Sequence, residues 1–206
     1  MSSFRNTDVL IIGSGLSGLS AALMLPDNLK ITLITKTSLD ECSTSWAQGG
    51  IASVLSNDDK FDNHIEDTLT NGHGLNNNDV VEKIIKNGPS MINWLVGQKI
   101  KFSNKNRELD LTLEGGHSKR RIVHVKDQTG KIIHDNLDKI IRNKKNITVK
   151  ENLQVIDVIC RGNSTNKYCI GAYIYDSEIN KVITYSSKKV ILATGGAGKI
   201  YQYTTN

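Results

Sequence analysis

The strongest constraint on the fold lies in the first third of the chain. A strand-like segment from Asp8 to Ile12, continuously apolar from Val9, ends in Gly13-Ser14-Gly15-Leu16-Ser17-Gly18. The run has the character of a strand covered on both faces. Leu16 to Leu25 follows as a helix of small and apolar residues, stopped near Pro26. Lys30 to Thr35 reads as a second strand. Strand, three glycines at this spacing, helix and strand make a βαβ unit carrying a dinucleotide fingerprint in its required context. Gly13 permits the tight turn, Gly15 lets backbone approach a pyrophosphate, and Gly18 lets helix and strand pack closely. The helix N-terminus offers unpaired N–H groups and partial positive charge to the anion. The alternative is a glycine-rich turn that binds nothing.

The second strand argues about which dinucleotide. An NAD site usually ends that strand with Asp or Glu, which accepts from the ribose. Here it ends at Thr35-Lys36, and an ammonium accepts no hydrogen bond. Ordinary NAD binding loses support, and Lys36 is placed near an adenosine or phosphate portion, or is a solvated strand end.

Charge points elsewhere only superficially. The net charge is +5, yet Lys outnumbers Arg 20 to 6 and the lysines are scattered. Abundant Asn and Ile suggest AT-rich coding, not a nucleic-acid surface, so no nucleic-acid partner is expected. Lys119, Arg120 and Arg121 form the one tight basic cluster. Cys42, Cys160 and Cys169 are an odd set without close pairs, which argues against a disulfide framework and against a zinc site. Cys160 and Cys169 read as buried small hydrophobes. No stretch approaches a membrane span and no signal-peptide core is present, so a cytoplasmic protein without a membrane partner is expected.

The middle reads as helical: Asn63 to Asn71, Asp79 to Asn87, and a further helix starting at Pro89. Ser103 to Glu108 reads as a loop, and Thr129 to Asn143 as a helix. The last third switches to period two. Thr148 to Lys150, Gln154 to Cys160, Cys169 to Tyr175 and Val182 to Ser186 read as strands, the last three as an antiparallel meander. Lys189 to Ala193 reads as a separate buried strand before Thr194-Gly195-Gly196.

Further motifs stand in order along the chain: Ser43-Thr44-Ser45-Trp46-Ala47-Gln48-Gly49-Gly50, Glu114-Gly115-Gly116-His117-Ser118, Arg120-Arg121-Ile122-Val123-His124 and Ala193-Thr194-Gly195-Gly196. With the N-terminal glycine turn, this series resembles the L-aspartate oxidases, soluble relatives of the fumarate reductase and succinate dehydrogenase flavoproteins. The likeness runs from about Asp8 to Asn206. It implies an α/β, Rossmann-like FAD-binding domain of the glutathione-reductase type, with a βαβ start, a helical insertion and an antiparallel meander. Residues 1–206 would be one incomplete FAD-binding domain, with 43–128 an insertion contributing flavin and substrate contacts. Capping and C-terminal helical domains would be absent.

The resemblance also assigns residues. Family positions matching Ser14 to Ser17, Lys36 and Ser43 to Gly50 contact FAD. Hydroxyls and N–H groups at Ser43, Thr44 and Ser45 suit phosphate or flavin oxygens. Gly49 and Gly50 allow close approach to the flavin ring, and the turn at Thr194, Gly195 and Gly196 passes near the cofactor. Trp46 is read chiefly as packing. Membrane-bound relatives carry at the position matching Ser43 a His that links covalently to FAD. Serine cannot, so FAD here would be noncovalent. Glu114 is the candidate catalytic and substrate-binding residue, facing the substrate's α-amino group through charge-assisted hydrogen bonds. The family often has Arg before this Glu, whereas this chain has Leu113. His117 is placed on a substrate carboxylate or on backbone groups. Arg120 and Arg121 pair with acidic neighbours or shape the entrance, while His64, His73 and His134 are surface or packing residues. No metal site is expected.

The implied reaction is oxidation of L-aspartate to iminoaspartate, with oxygen or fumarate reoxidising FAD. Iminoaspartate would pass to quinolinate synthase in NAD biosynthesis. The alternatives are a noncatalytic FAD-binding remnant and a fragment of a fumarate reductase or succinate dehydrogenase flavoprotein; Ser43 and Glu114 speak against the latter. Without a cap to exclude water, the chain alone is expected to have little activity.

Overall fold

The structure is a computed structural model describing residues 4–204, the side chain of Lys199 excepted. The domain limits expected at 1 and 206 lie outside the described residues. In chain order the elements are β1 (Phe4–Ile12), α1 (Leu16–Met24), β2 (Ile31–Ile34), α2 (Ser43–Trp46), β3 (Ile51–Ala52), α3 (Phe61–Asn71), α4 (Asn78–Gly97), β4 (Asn104–Lys105), β5 (Glu108–Leu109), β6 (Leu111–Thr112), β7 (Ile122–Val123), α5 (Thr129–Arg142), β8 (Ile147–Lys150), β9 (Leu153–Arg161), β10 (Tyr168–Asp176) and β11 (Lys181–Leu192). They fall into two compact units. One holds the described residues up to Ser45 and from Leu137 onward; the other is Trp46–Asn136.

The first unit is built on a six-stranded sheet in the order β8-β2-β1-β11-β10-β9. The first four strands run parallel, and β10 and β9 continue the sheet antiparallel. This is the expected α/β architecture, with the βαβ start and the meander sharing one sheet. Leu10, Ile12, Ile34, Ala172, Ile174 and Tyr185 form a common core. Burial of such side chains contributes about 1.5–3 kcal/mol each.

The two strands expected at Val182 to Ser186 and Lys189 to Ala193 are one continuous strand, β11. Ser186-Ser187-Lys188 resembles a polar turn, but Ser186 and Ser187 pair with Asn6 and Thr7 of β1. The polar break in one strand is matched by a polar break in its neighbour. Lys188 Nζ reaches Asp8 Oδ1 at 2.7 Å. Cys160 also departs from expectation. It is exposed, and Cys169 half-buried, and both thiols are free. The two lie opposite each other across β9 and β10. The polar edge of the meander, not the core, receives them.

The second unit contains α3, α4, the three-stranded sheet β3-β7-β6 and the β4–β5 hairpin. The helix expected to end at Asn87 and the one expected to begin at Pro89 are a single helix, α4, with Pro89 inside it. Proline removes one helical N–H, but side chains serve neighbouring carbonyls: Asn87 donates to Lys83 O at 2.7 Å and Ser90 to Asn87 O at 2.7 Å. Ile85, Ile92 and Leu95 keep one buried face across the proline. The expected loop at Ser103 to Glu108 closes instead as a hairpin. Asn106 and Arg107 both take positive φ, 54° and 71°, the pair required by a two-residue type I′ turn. Among the described residues, no helix is long and apolar enough to cross a membrane.

Candidate cofactor and substrate site

In the first unit the glycine turn is fixed from below by the sheet. Gly13 donates to Ile34 O at 2.9 Å and Ala193 to Ile12 O at 2.8 Å, tying the ends of β1, β2 and β11 together. Gly13 has φ 117°, and a Cβ there would stand 2.1 Å from Ala193 O. A Cβ on Gly18 would stand 2.0 Å from Gly13 O. A side chain at Gly13 would push the turn off the end of β11, and one at Gly18 would push α1 off the turn. The Ser14 hydroxyl donates to Thr35 Oγ1 at 3.1 Å, joining the turn to the end of β2. Beyond Thr35, Lys36 is exposed.

Helix α1 begins without a capping side chain at Gly15 and without an acidic residue in its first turn. Leu16 N–H donates to Thr44 Oγ1 at 2.9 Å, so α2 supplies one partner. That hydroxyl is also the single heavy atom within 4 Å of a Cβ placed on Gly15. The helix start therefore presents backbone N–H groups and the Thr44 hydroxyl, with no acidic residue in its own first turn. This donor set fits a pyrophosphate. Thr194, Gly195 and Gly196 are exposed after β11, and added Cβ atoms on either glycine would meet nothing within 4 Å.

The second unit holds the remaining motif residues. Trp46 is 77% exposed, so the packing role expected for it is not realised among the described residues. Ala47 O accepts from Gly130 N–H at 3.0 Å, and Gln48 is exposed. Gly50 lies against β7: a Cβ there would stand 2.3 Å from Val123 O. Gly49 faces Glu114, whose Oε1 would be 3.4 Å from an added Cβ. The structure thus brings Glu114 to the Gly49-Gly50 segment. The Glu114 carboxylate is exposed.

Beneath that turn lies a charge network. Arg121 is fully buried. Its Nε and Nη2 donate to Asp59 Oδ2 and Oδ1, each at 2.8 Å, in a bidentate pair. Its Nη1 donates to Asp67 Oδ2 at 2.5 Å and meets His117 Nδ1 at 3.2 Å. A guanidinium has no acceptor, so His117 accepts on Nδ1 and carries its proton on Nε2. His64 packs its ring 5.5 Å from that of His117. Burial works to raise the Asp59 carboxyl, but hydrogen bonds from Arg121 and the Lys60 N–H outweigh it and hold it below the usual carboxylate range. Burial also opposes ionisation of Asp67, and the Ser118 N–H and Arg121 overcome it. His64 is pushed down by burial and by the nearby Arg121.

Of the two readings of Arg121, pairing with acidic neighbours is the one realised. Arg120 instead is exposed and donates to Leu111 O at 3.1 Å. Asp59 and Asp67 carry the network and were not singled out in the sequence. Their one signal is composition: two carboxylates in a basic chain, Asp59 just before α3 and Asp67 within it.

Residues 8–206 match the FAD binding domain family. The chain belongs to this FAD-binding family. Over its full length it is 45% identical to L-aspartate oxidase of Yersinia pestis, and 40% identical to that of Pseudomonas aeruginosa. In each case the match covers 40% of the relative, so the chain spans about two-fifths of the length of these curated proteins. Among solved structures, E. coli quinol fumarate reductase is similar with a TM-score of 0.89 and 26% identity, covering 98% of this chain and 34% of that one. Mycobacterium smegmatis Sdh1 gives 0.87 and 26%, covering 99% and 36%. FAD is accordingly the cofactor of the family.

Proposed function

We propose that this chain belongs to an L-aspartate oxidase that converts L-aspartate to iminoaspartate, with oxygen or fumarate as electron acceptor, at the entry to quinolinate and NAD synthesis. The observation that carries the reading is Glu114: an exposed carboxylate held beside Gly49, in a segment whose family counterpart lies against the flavin. A carboxylate there pairs with the α-ammonium of an amino acid and offers nothing to succinate. Full-length similarity to proteins named L-aspartate oxidase supports the same substrate.

FAD, when bound, supplies the two-electron oxidation at the substrate Cα. The chain's own residues bind and orient. The start of α1, the Ser14 N–H and the Thr44 hydroxyl present donors to the pyrophosphate, and Lys36 adds a cation at the end of β2. Glu114 orients the amine. His117, with its proton on Nε2, donates to a substrate carboxylate oxygen. Ser43 provides no covalent tether, so the cofactor is released on denaturation.

Glu114→Gln in the FAD-loaded full-length gene product tests the reading. A charge-assisted hydrogen bond contributes about 1.5–3 kcal/mol, so kcat/KM for L-aspartate should fall about 10- to 100-fold. Unchanged turnover of L-aspartate would overturn the assignment. Succinate oxidation that persists while L-aspartate is never turned over would favour the fumarate reductase side of the superfamily.

A further inference from the structure

The turn from Glu114 to Ser118 has little to hold it from within. Gly115 and Gly116 lie at its centre, with Gly116 at φ 82°. Its one internal backbone bond is a long one, His117 N–H to Glu114 O at 3.3 Å. Two adjacent glycines make such a segment entropically costly to order. Its anchors come instead from α3. Asp67 and Asn71 are four residues apart and share one helix face. Asn71 Nδ2 donates to Gly116 O at 2.9 Å. Asp67 Oδ2 accepts from both the N–H and the hydroxyl of Ser118, each at 2.8 Å. The same oxygen accepts from Arg121 Nη1.

We propose that Asp67 is a positioning residue for the substrate-binding turn: it couples the buried Arg121 to Ser118 and thereby holds Glu114 and His117 in place. Asp59 differs, since both its oxygens are committed to Arg121. Asp67 is the carboxylate that reaches from the buried guanidinium to the turn. Arg121 also fixes His117 through Nδ1, so one charge network orients both candidate substrate residues. The functional half of this inference rests on the proposed L-aspartate chemistry.

The test compares Asp67→Asn, Ser118→Ala and Glu114→Gln, singly and combined, in the FAD-loaded full-length gene product. Hydrogen exchange at the Ser118 amide reads anchoring without any turnover. Asp67→Asn should speed it about tenfold or more by replacing a charged acceptor with a neutral one. Ser118→Ala leaves the Arg121 pairings intact and should give a smaller loosening in a folded protein. In kinetics, Asp67→Asn should lower kcat/KM for L-aspartate about tenfold, and that loss should shrink when Glu114→Gln is already present, leaving only the part that acts through His117. Unchanged Ser118 exchange in Asp67→Asn, or fully additive losses in the double variant, would overturn the proposal. If Glu114→Gln alone leaves L-aspartate oxidation intact, the reaction assignment fails, and Ser118 exchange still decides whether Asp67 anchors the turn.

Discussion

The two units hold their motif residues by different means. In the first, the glycine turn rests on the ends of β1, β2 and β11, and its ties are mostly backbone to backbone. The sheet beneath is hydrocarbon: Leu10, Ile11, Ile31, Leu33 and Ile34 are each fully buried. In the second, the strands are two residues long, and the glycine-rich turn bearing Glu114 is carried only by the short β6–β7 pair. Side chains take over there, and the buried guanidinium of Arg121 organises them. On the proposed function, a cofactor turn needs backbone in a fixed place, which a sheet supplies, and a turn that recognises substrate needs particular side chains in place, which a charge network supplies at greater electrostatic risk.

That contrast breaks most directly at Arg121. Removing one partner of a buried ion pair leaves uncompensated charge and costs about 3–5 kcal/mol. Arg121→Met, which strands two carboxylates, should cost at least that by denaturant unfolding. Amide protection should fall across residues 51–123 while that of β1 and β2 persists. Equal loss in both units would erase the distinction.

Acid should separate the units next. Asp59 and Asp67 are lowered from the ordinary 3.8, so their contribution is complete above about pH 4 and is lost as pH falls through their depressed values. His64 is lowered from 6.5. Below that pH the unfolded chain takes up a proton first, so stability starts to fall there and continues through the depressed value. Both effects weaken the second unit on acidification. His64→Phe should remove the upper part of this acid limb and keep the lower part, as read from unfolding midpoints at about pH 7, 5 and 3.5.

The smallest effect is expected at Thr44, a side-chain tie in the sheet-supported unit. Thr44→Val removes the acceptor for Leu16 N–H, worth about 1 kcal/mol, and should lower Tm by about 2–4 °C. A much larger drop would mean that the glycine turn depends on side chains after all.

The same division governed what could be read from the residues. Gly13, Gly15 and Gly18 announce themselves because their constraint is local, between a strand and the helix that follows it. The meander was readable for the same reason, through alternation along each strand. Arg121 was visible as a cation, but Asp59 and Asp67 lie 62 and 54 positions away, and no spacing rule links them. Pro89 misled because its usual place is a first helical turn, whereas an apolar face continued through it. Ser186 to Lys188 misled because their polarity matches a polar stretch of β1 that is remote in sequence.

That last pairing governs how the chain can assemble. Phe4 is opposite Thr184 and Ile12 opposite Leu192, so the central strand of the sheet waits for a partner made about 180 residues later. At ribosomal rates of about 5–20 residues per second, the delay is roughly 10–40 s. During that time β1 can settle against β2, which comes early, but its other edge carries open hydrogen-bonding groups beside Val9, Leu10 and Ile11. Pairings of this sequence separation are slow to form and exposed to aggregation until they close. The strand that closes the glycine turn is therefore also the step on which productive folding of the first unit waits.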